Sequence, residues 1–474
     1  MPVPPLAQPV SRRLFVSRTI ALVAASAAST LLAACGGGAA PPAAKPPESK
    51  PAPAAEPTKP AAPAAQPTAA QAAPAQGKAG GKLVVGAYSY IPEGIPLDDI
   101  VKQYMDSHPG VQVEVQLIGV DLTRDAPAFV QRMSAEAQQR RSAYDIIAGP
   151  TTWIEPALMA RVQAIDPIEP YVPKSLLDDL YPPVRKGATY TDGKLYSMPW
   201  WADVVGFIYR KSMLKESVGT DQPPETWDQV LDYSAKIKAR LGDKVAAYGA
   251  DWPRSHRLFL PIMAAMTQNF YTPEGLWNMD DASVPEALEL VKKLYPYMPA
   301  SSAEDLGSSK AFQAGGVAME TYWPTQLLRA IQAKQPEDDM AMTANPKAKT
   351  SGTLFWNADI VIPKYSNNKE EAGRFMNEAL LSELTVEKSY ANWKVLPYKS
   401  INERFLPKMP GWAKPLISTL ETGSPIPMNP FWLGFEQPIF KEEVEKMILQ
   451  DQSTKDTQTN IAQRIKQQYK EFQG

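Results

Sequence analysis

A single cysteine, Cys35, stands in 474 residues, and histidine occurs twice, at His108 and His256. One thiol excludes an internal disulfide framework and any thiol cluster for zinc or an iron–sulfur group. His108 reads as a turn residue beside Pro109 and His256 as a helix-start residue. Neither has a second ligand at metal spacing, so no metal and no cofactor is expected. The formal net charge is −2 with the signs interspersed, leaving no basic stripe of the kind nucleic acid requires. No Gly-x-x-x-x-Gly-Lys-Ser/Thr loop is present, so the chain does not itself hydrolyse ATP. No segment reaches ~18 uninterrupted apolar residues, and no membrane span is expected.

What is present begins at the N-terminus. Ser11-Arg12-Arg13-Leu14-Phe15-Val16 carries an arginine pair, and a mildly apolar, Ala-rich run follows over 20–32. Leu32-Ala33-Ala34-Cys35 then sets small residues before the cysteine. These residues resemble a twin-arginine export signal ending in a bacterial lipobox. The resemblance implies a signal peptide over 1–34, removed so that Cys35 becomes a lipidated N-terminus anchoring the chain outside the cytoplasm, on the cell surface or the periplasmic face. Residues 36–81 are mostly Ala, Pro, Gly, Gln and Lys, with no aromatic and no large aliphatic side chain to bury. Residues 35–81 therefore read as a lipidated cysteine and a Pro-rich stalk reaching on the order of 100 Å.

Residues 82–474 carry nearly all the aromatics and exceed the size of one core, which points to two lobes. Lys82-Leu83-Val84-Val85-Gly86-Ala87 reads as a strand, and a helical pattern over 97–105 stops at His108-Pro109-Gly110. A strand over 111–118, a helix over 126–140 and a strand over 144–149 complete a βαβ series, hence a mainly parallel sheet with ligands at its carboxyl edge. Asp192-Gly193 reads as a hairpin turn between 188–191 and 194–198, and 204–209 as one buried strand. Thr226 is placed to cap a helix to 241, with Gln229 completing a capping box. Helices over 285–294 and 369–381, strands over 317–320 and 360–363, and a helical C-terminus from 440 follow.

The order of five short motifs resembles family 1 of the extracellular solute-binding proteins, the sugar-binding components of bacterial ABC importers. They are His108-Pro109-Gly110-Val111-Gln112-Val113, Tyr144-Asp145-Ile146-Ile147, Asp192-Gly193-Lys194-Leu195-Tyr196-Ser197-Met198-Pro199, Pro224-Glu225-Thr226-Trp227-Asp228 and Gly315-Gly316-Val317-Ala318-Met319. The resemblance implies an α/β, two-lobed periplasmic-binding-protein-like fold of type II with lobes joined by a hinge. One lobe would take about 82–200 plus a later return segment, the other about 201–474. It further implies a monomeric, non-enzymatic binding component that delivers solute to a permease driven by a separate ATPase.

A sugar offers an apolar ring face and a rim of hydroxyls, so its site needs flat aromatics beside Asp, Asn, Arg or Glu. Tyr88, Trp153, Trp200, Trp201, Asp203, Trp252, Arg254, Tyr322, Trp323, Trp356 and Asn357 meet that description at loop-like positions near strand ends and form the expected ligand set. Trp227, in the first turn of a capped helix, and the methionines, including Met263 and Met266, read as core packing. Trp393 and Trp432 stay unassigned. Other readings of the same residues are a polyamine or other non-sugar ligand on the same fold, and an exported glycan-degrading enzyme. The latter would need two carboxylates at a defined separation, which no spacing here supplies.

Overall fold

The computed structural model describes residues 81–119, 126–152, 154–269, 271–392, 394–409, 411–431 and 439–473. The segments expected to form an export signal and a stalk, together with Cys35, Trp153, Trp393 and Trp432, lie outside the described residues, apart from Gly81.

Two sheets organise the body. The first holds β1 (Gly81–Tyr88), β2 (Val111–Ile118), β3 (Ile146–Thr151) and β4 (Met198–Val204). The second holds β5 (Gly206–Arg210), β6 (Ala246–Gly249), β7 (Val317–Tyr322) and β8 (Met340–Thr343). The chain then returns to the first sheet with β9 (Leu354–Val361) and the short β10 (Ser424–Pro425). The first sheet runs β10-β9-β3-β1-β2 with β4 also beside β9, and the second runs β6-β7-β5-β8. β1 is parallel to both β2 and β3, as the βαβ series requires. β3 and β4 both lie antiparallel to β9, which makes β9 the spine of the first sheet. Its eight residues are all buried, as befits a strand covered on both faces.

Helices cover these sheets by their apolar faces. In Leu97–Ser107, Leu97, Ile100, Val101 and Tyr104 recur at helical spacing and are the buried residues. Trp227–Leu241 begins where the sequence puts it: Thr226 Oγ1 accepts from Gln229 N at 3.2 Å. The reciprocal bond falls one residue earlier than a capping box places it, from Glu225 N to Gln229 Oε1 at 2.6 Å. Trp227 is buried in the second core, edge-on to Tyr248, and Met263 and Met266 are buried there as well. The C-terminal stretch forms helices Lys441–Leu449 and Thr454–Gln473. Among the described residues no helix is long and apolar enough to cross a membrane.

Four expectations change. The strand expected over 360–363 is the end of the longer β9, which begins at Leu354 and stops at Val361. The Asp192-Gly193 turn forms, with Gly193 at φ +83°, but the pairing around it is one bridge, Thr189 to Leu195, and not a two-stranded hairpin. The run 204–209 is not one strand: β4 ends at Val204 and β5 begins at Gly206 in the other sheet. The helix expected over 369–381 is α-helical only over Lys369–Phe375 and continues as a π-turn over Met376–Leu380.

The passage between sheets at Val205 is tied by side chains. Val205 N donates to Leu354 O at 2.9 Å, and Val205 O accepts from Thr353 Oγ1 at 2.7 Å and Asn345 Nδ2 at 3.1 Å. Asn345 Nδ2 also reaches Thr353 Oγ1 at 3.0 Å, so one outgoing and one returning segment share a bonded cluster. Gly206 permits this approach, because a Cβ there would stand 2.6 Å from Met342 Cε and 2.8 Å from Thr343 O.

Candidate ligand cleft

Trp200, Trp201 and Asp203 belong to β4, and Trp356 and Asn357 to β9; the structure corrects their expected loop positions to paired strand positions. The antiparallel register sets Trp201 opposite Ala358, Ala202 opposite Asn357 and Asp203 opposite Trp356. Strand alternation then sends Trp201 and Asp203 to the same face. The sequence could not announce this pairing, because the partner strand lies some 150 positions later.

The first-sheet wall is built on an anchored tryptophan. Trp200 is fully buried and its Nε1 donates to Leu380 O at 2.8 Å. Trp201 lies against it, centroids 4.8 Å apart, and meets Tyr90 edge-on at 6.4 Å. The Lys394 ammonium stands 4.5 Å from the centre of the Trp201 ring. Tyr90 donates its hydroxyl to Gly149 O and extends the wall to Tyr88, centroids 6.0 Å apart.

Asp203 sits in this wall and keeps partial exposure where its neighbours are buried. Burial pushes its carboxyl above the usual carboxylate range, against the pull of Lys394, the Trp201 indole, Arg329 and the Trp356 indole. Trp201 Nε1 is nonetheless buried without a completed hydrogen bond among the described residues.

The second-sheet wall comes from the end of β7. Tyr322 and Trp323 stack with centroids 3.8 Å apart and planes at 27°. Trp356 meets Trp323 edge-on at 5.5 Å, and His256 meets Trp356 edge-on at 5.4 Å. Tyr322 is buried, whereas Trp323 is half-buried and packs against both cores. Trp201, Asp203 and Trp356 thus reach one region from the first sheet, and Trp323 reaches it from the second.

Trp252 and Arg254 have different surroundings. Trp252 is buried in the second core. Arg254 is buried and pairs side-on with Asp305, Nη2 to Oδ2 at 2.7 Å and Nε to Oδ1 at 3.3 Å. Asn357 is buried, and its backbone carbonyl accepts from both Thr152 N and Thr152 Oγ1 at 3.1 Å. His108 stacks on Tyr104 at 4.1 Å, with Nε2 3.0 Å from Glu378.

Sequence reasoning missed the buried acids behind the walls. Glu155 accepts from Thr151 N at 3.0 Å, and burial pushes its carboxyl up to about 8. Asp359 accepts from Ser197 Oγ at 2.6 Å and is pushed up to about 7, again by burial. Glu320, inside β7, is driven up to about 8 by burial and by the nearby Asp251. Carboxyls of this kind stay neutral where their surroundings cannot solvate a charge. Lys394, Arg329 and the buried Arg257 were missed as well, since an isolated basic residue carries no sequence signal of what it will face.

A surface concavity of about 440 Å³ is lined by Arg161, Tyr190, Thr191, Asn429, Pro430, Tyr469 and Phe472 and shares no residue with this region. The chemistry described above is concentrated instead in the aromatic walls around Asp203.

Comparison with known proteins agrees with this architecture. A probable ABC transporter-binding protein of Deinococcus radiodurans is 24% identical over 279 residues, spanning 54% of this chain and 63% of its own length. A maltotriose-binding protein of Pyrococcus abyssi is 23% identical over 246 residues, 49% of this chain and 51% of its own. The match therefore covers under two thirds of either relative. Among solved structures, the sugar-binding protein MalE of Xanthomonas citri superimposes with a TM-score of 0.69 at 20% identity, covering 83% of this chain and 99% of that one. Maltose-bound MalE3 of T. maritima gives 0.67 at 17% identity, covering 81% and 99%. These structures share the two-lobed α/β periplasmic-binding fold. Residues 88–384 match the family described as bacterial extracellular solute-binding protein, and the chain belongs to that family.

Proposed function

We propose that the protein is the extracytoplasmic substrate-binding component of an ABC importer, capturing a mono- or oligosaccharide and passing it to a permease powered by a separate ATPase. The observation that carries this reading is the convergence of Trp201, Trp356 and Trp323 on the partly exposed Asp203. The half-buried Trp323 indole offers a face to match the C–H face of a pyranose, and the Asp203 carboxylate accepts from its hydroxyls. The sugar-binding names of the maltotriose, lactose and mannitol relatives support it.

In this reading the lobes are the two sheet layers, the tied crossing at Val205 is the hinge, and closure brings Trp323 toward Trp201. The ligand is held without turnover, so the chain is not an enzyme. Lipid on Cys35, behind a twin-arginine signal, tethers a monomer near its permease, and the stalk lets it reach. A polyamine fits less well: the cation position on the Trp201 face already holds the Lys394 ammonium, which would repel a second cation.

Calorimetry of the soluble body against a panel of sugars tests the reading. Saturable binding without product release is expected. Trp323→Ala should weaken it by about 1–3 kcal/mol, as loss of a stacking anchor does. Silence across the panel would remove the carbohydrate assignment, and unchanged affinity in both Trp323→Ala and Trp201→Ala would remove the site.

A further inference from the structure

Arg257 lies in the short 3-10 turn Ser255–Arg257, more than nine-tenths buried. Both of its hydrogen bonds leave from Nη1, to Asp251 and to Asp305 Oδ1 at 3.1 Å. Asp251 in turn accepts from Ser308 N at 2.8 Å, and Asp305 is shared with Arg254, so Nη1 is pinned by a braced pair of carboxylates. A guanidinium is a rigid plane with five donors, and its Nε–H runs parallel to one N–H of Nη2. That edge is unused: Nε is buried without a partner, and no hydrogen bond leaves Nη2 among the described residues.

The position of the guanidinium follows from the ring distances. The guanidinium carbon is 5.5 Å from the Tyr322 centroid and 5.4 Å from the Trp323 centroid, while those centroids are 3.8 Å apart. A point equidistant from two stacked rings lies beside the stack, so Arg257 flanks the rim of Trp323 and does not lie over its face. A buried cationic donor such as this Nε, left without a partner, is costly to the folded chain unless something fills it. Side-on, the Nε and Nη2 pair matches two adjacent oxygens.

We propose that Arg257 is a specificity-determining residue, its Nε and Nη2 edge gripping two neighbouring oxygens of the ligand ring that packs on Trp323. The oxygens belong to a vicinal diol or to a carboxylate. The inference rests on the ligand-site reading above and adds to it which substituents are selected.

The experiment is calorimetry of wild type and Arg257→Lys with maltose and glucuronate as probes, each beside a counterpart whose adjacent oxygens are blocked by O-methylation or esterification. Lysine keeps the charge between Asp251 and Asp305 and lacks the fork. Wild type should bind the preferred open probe at least ten-fold more tightly than its blocked counterpart; the probe that responds distinguishes diol from carboxylate. Arg257→Lys should lose that discrimination to within about two-fold, which a purely structural role would not produce. Should the variant fold poorly, the 15Nε–H resonance of Arg257 in wild type should shift and exchange more slowly on saturation. Discrimination retained in the variant, or an unmoved resonance in wild type, overturns the proposal while leaving the ligand reading intact. Absence of any binding by wild type to an extended panel overturns both.

Discussion

Replacing Glu320 by Gln should make the protein more stable at pH 8 than it is with its native side chain. Glu320 is fully buried in β7, where Oε1 accepts from Ser308 Oγ at 3.2 Å and Oε2 from Gln326 Nε2 at 2.7 Å. Burial, then the charge of Asp251, pushes its carboxyl from 4.5 to about 8 despite those two bonds. In the unfolded chain the group ionises near 4.5; in the folded chain it keeps its proton to about 8. Below 4.5 both states hold the proton and the group costs nothing. Between 4.5 and 8 only the unfolded state releases it, so stability falls with rising pH by about 1.4 kcal/mol per pH unit. From pH 5 to pH 8 the loss reaches about 4 kcal/mol. Gln is neutral throughout, its carbonyl can accept from Gln326, and its amide can donate to Ser308 Oγ. Urea unfolding at pH 5, 6, 7 and 8 should therefore show the two proteins diverging, with the gap widening toward pH 8. Glu155 and Asp359 titrate in both proteins and cancel in the difference. Parallel stability curves would refute the reasoning, because they would mean that Glu320 is charged in the fold at neutral pH.

Asp251→Asn should lower stability by roughly 3–5 kcal/mol, since it leaves the buried Arg257 cation with only Asp305, which Arg254 also uses. A melting temperature unchanged from wild type would show that Asp305 alone suffices. Cys35→Ala should abolish membrane retention and impair uptake while sugar affinity, measured on the released protein, stays the same; normal uptake by the unanchored chain would show that the tether is dispensable.

The local elements were legible because their causes are local. The periodicity of Leu97, Ile100, Val101 and Tyr104, the Thr226 cap and the alternation over 111–118 each act within a few residues, and each element forms where the sequence puts it. The aromatic candidates were legible as a set, since Trp201, Asp203, Trp323 and Trp356 were all named from the sequence. Their arrangement was not, because it depends on β9 arriving between β3 and β4. Val204 to Tyr209 shows the limit most clearly. Six consecutive residues read as one buried strand, yet they serve two sheets, and nothing local marks the break except a glycine whose need arises from Met342 and Thr343.

By itself, then, the sequence determined the α/β class and the family, which follow from short-range patterning and motif order, and a composition over 36–81 that offers no aromatic or large aliphatic side chain for a core. Only the tertiary structure decided which tryptophans share a face, that Asp203 stays reachable while Asp359, Glu155 and Glu320 are sealed in, and that Arg257, beside the Tyr322–Trp323 stack, keeps a buried Nε without a partner. Those properties are set by pairings across long stretches of chain and by the exclusion of water around particular atoms, and neither is encoded in any one segment.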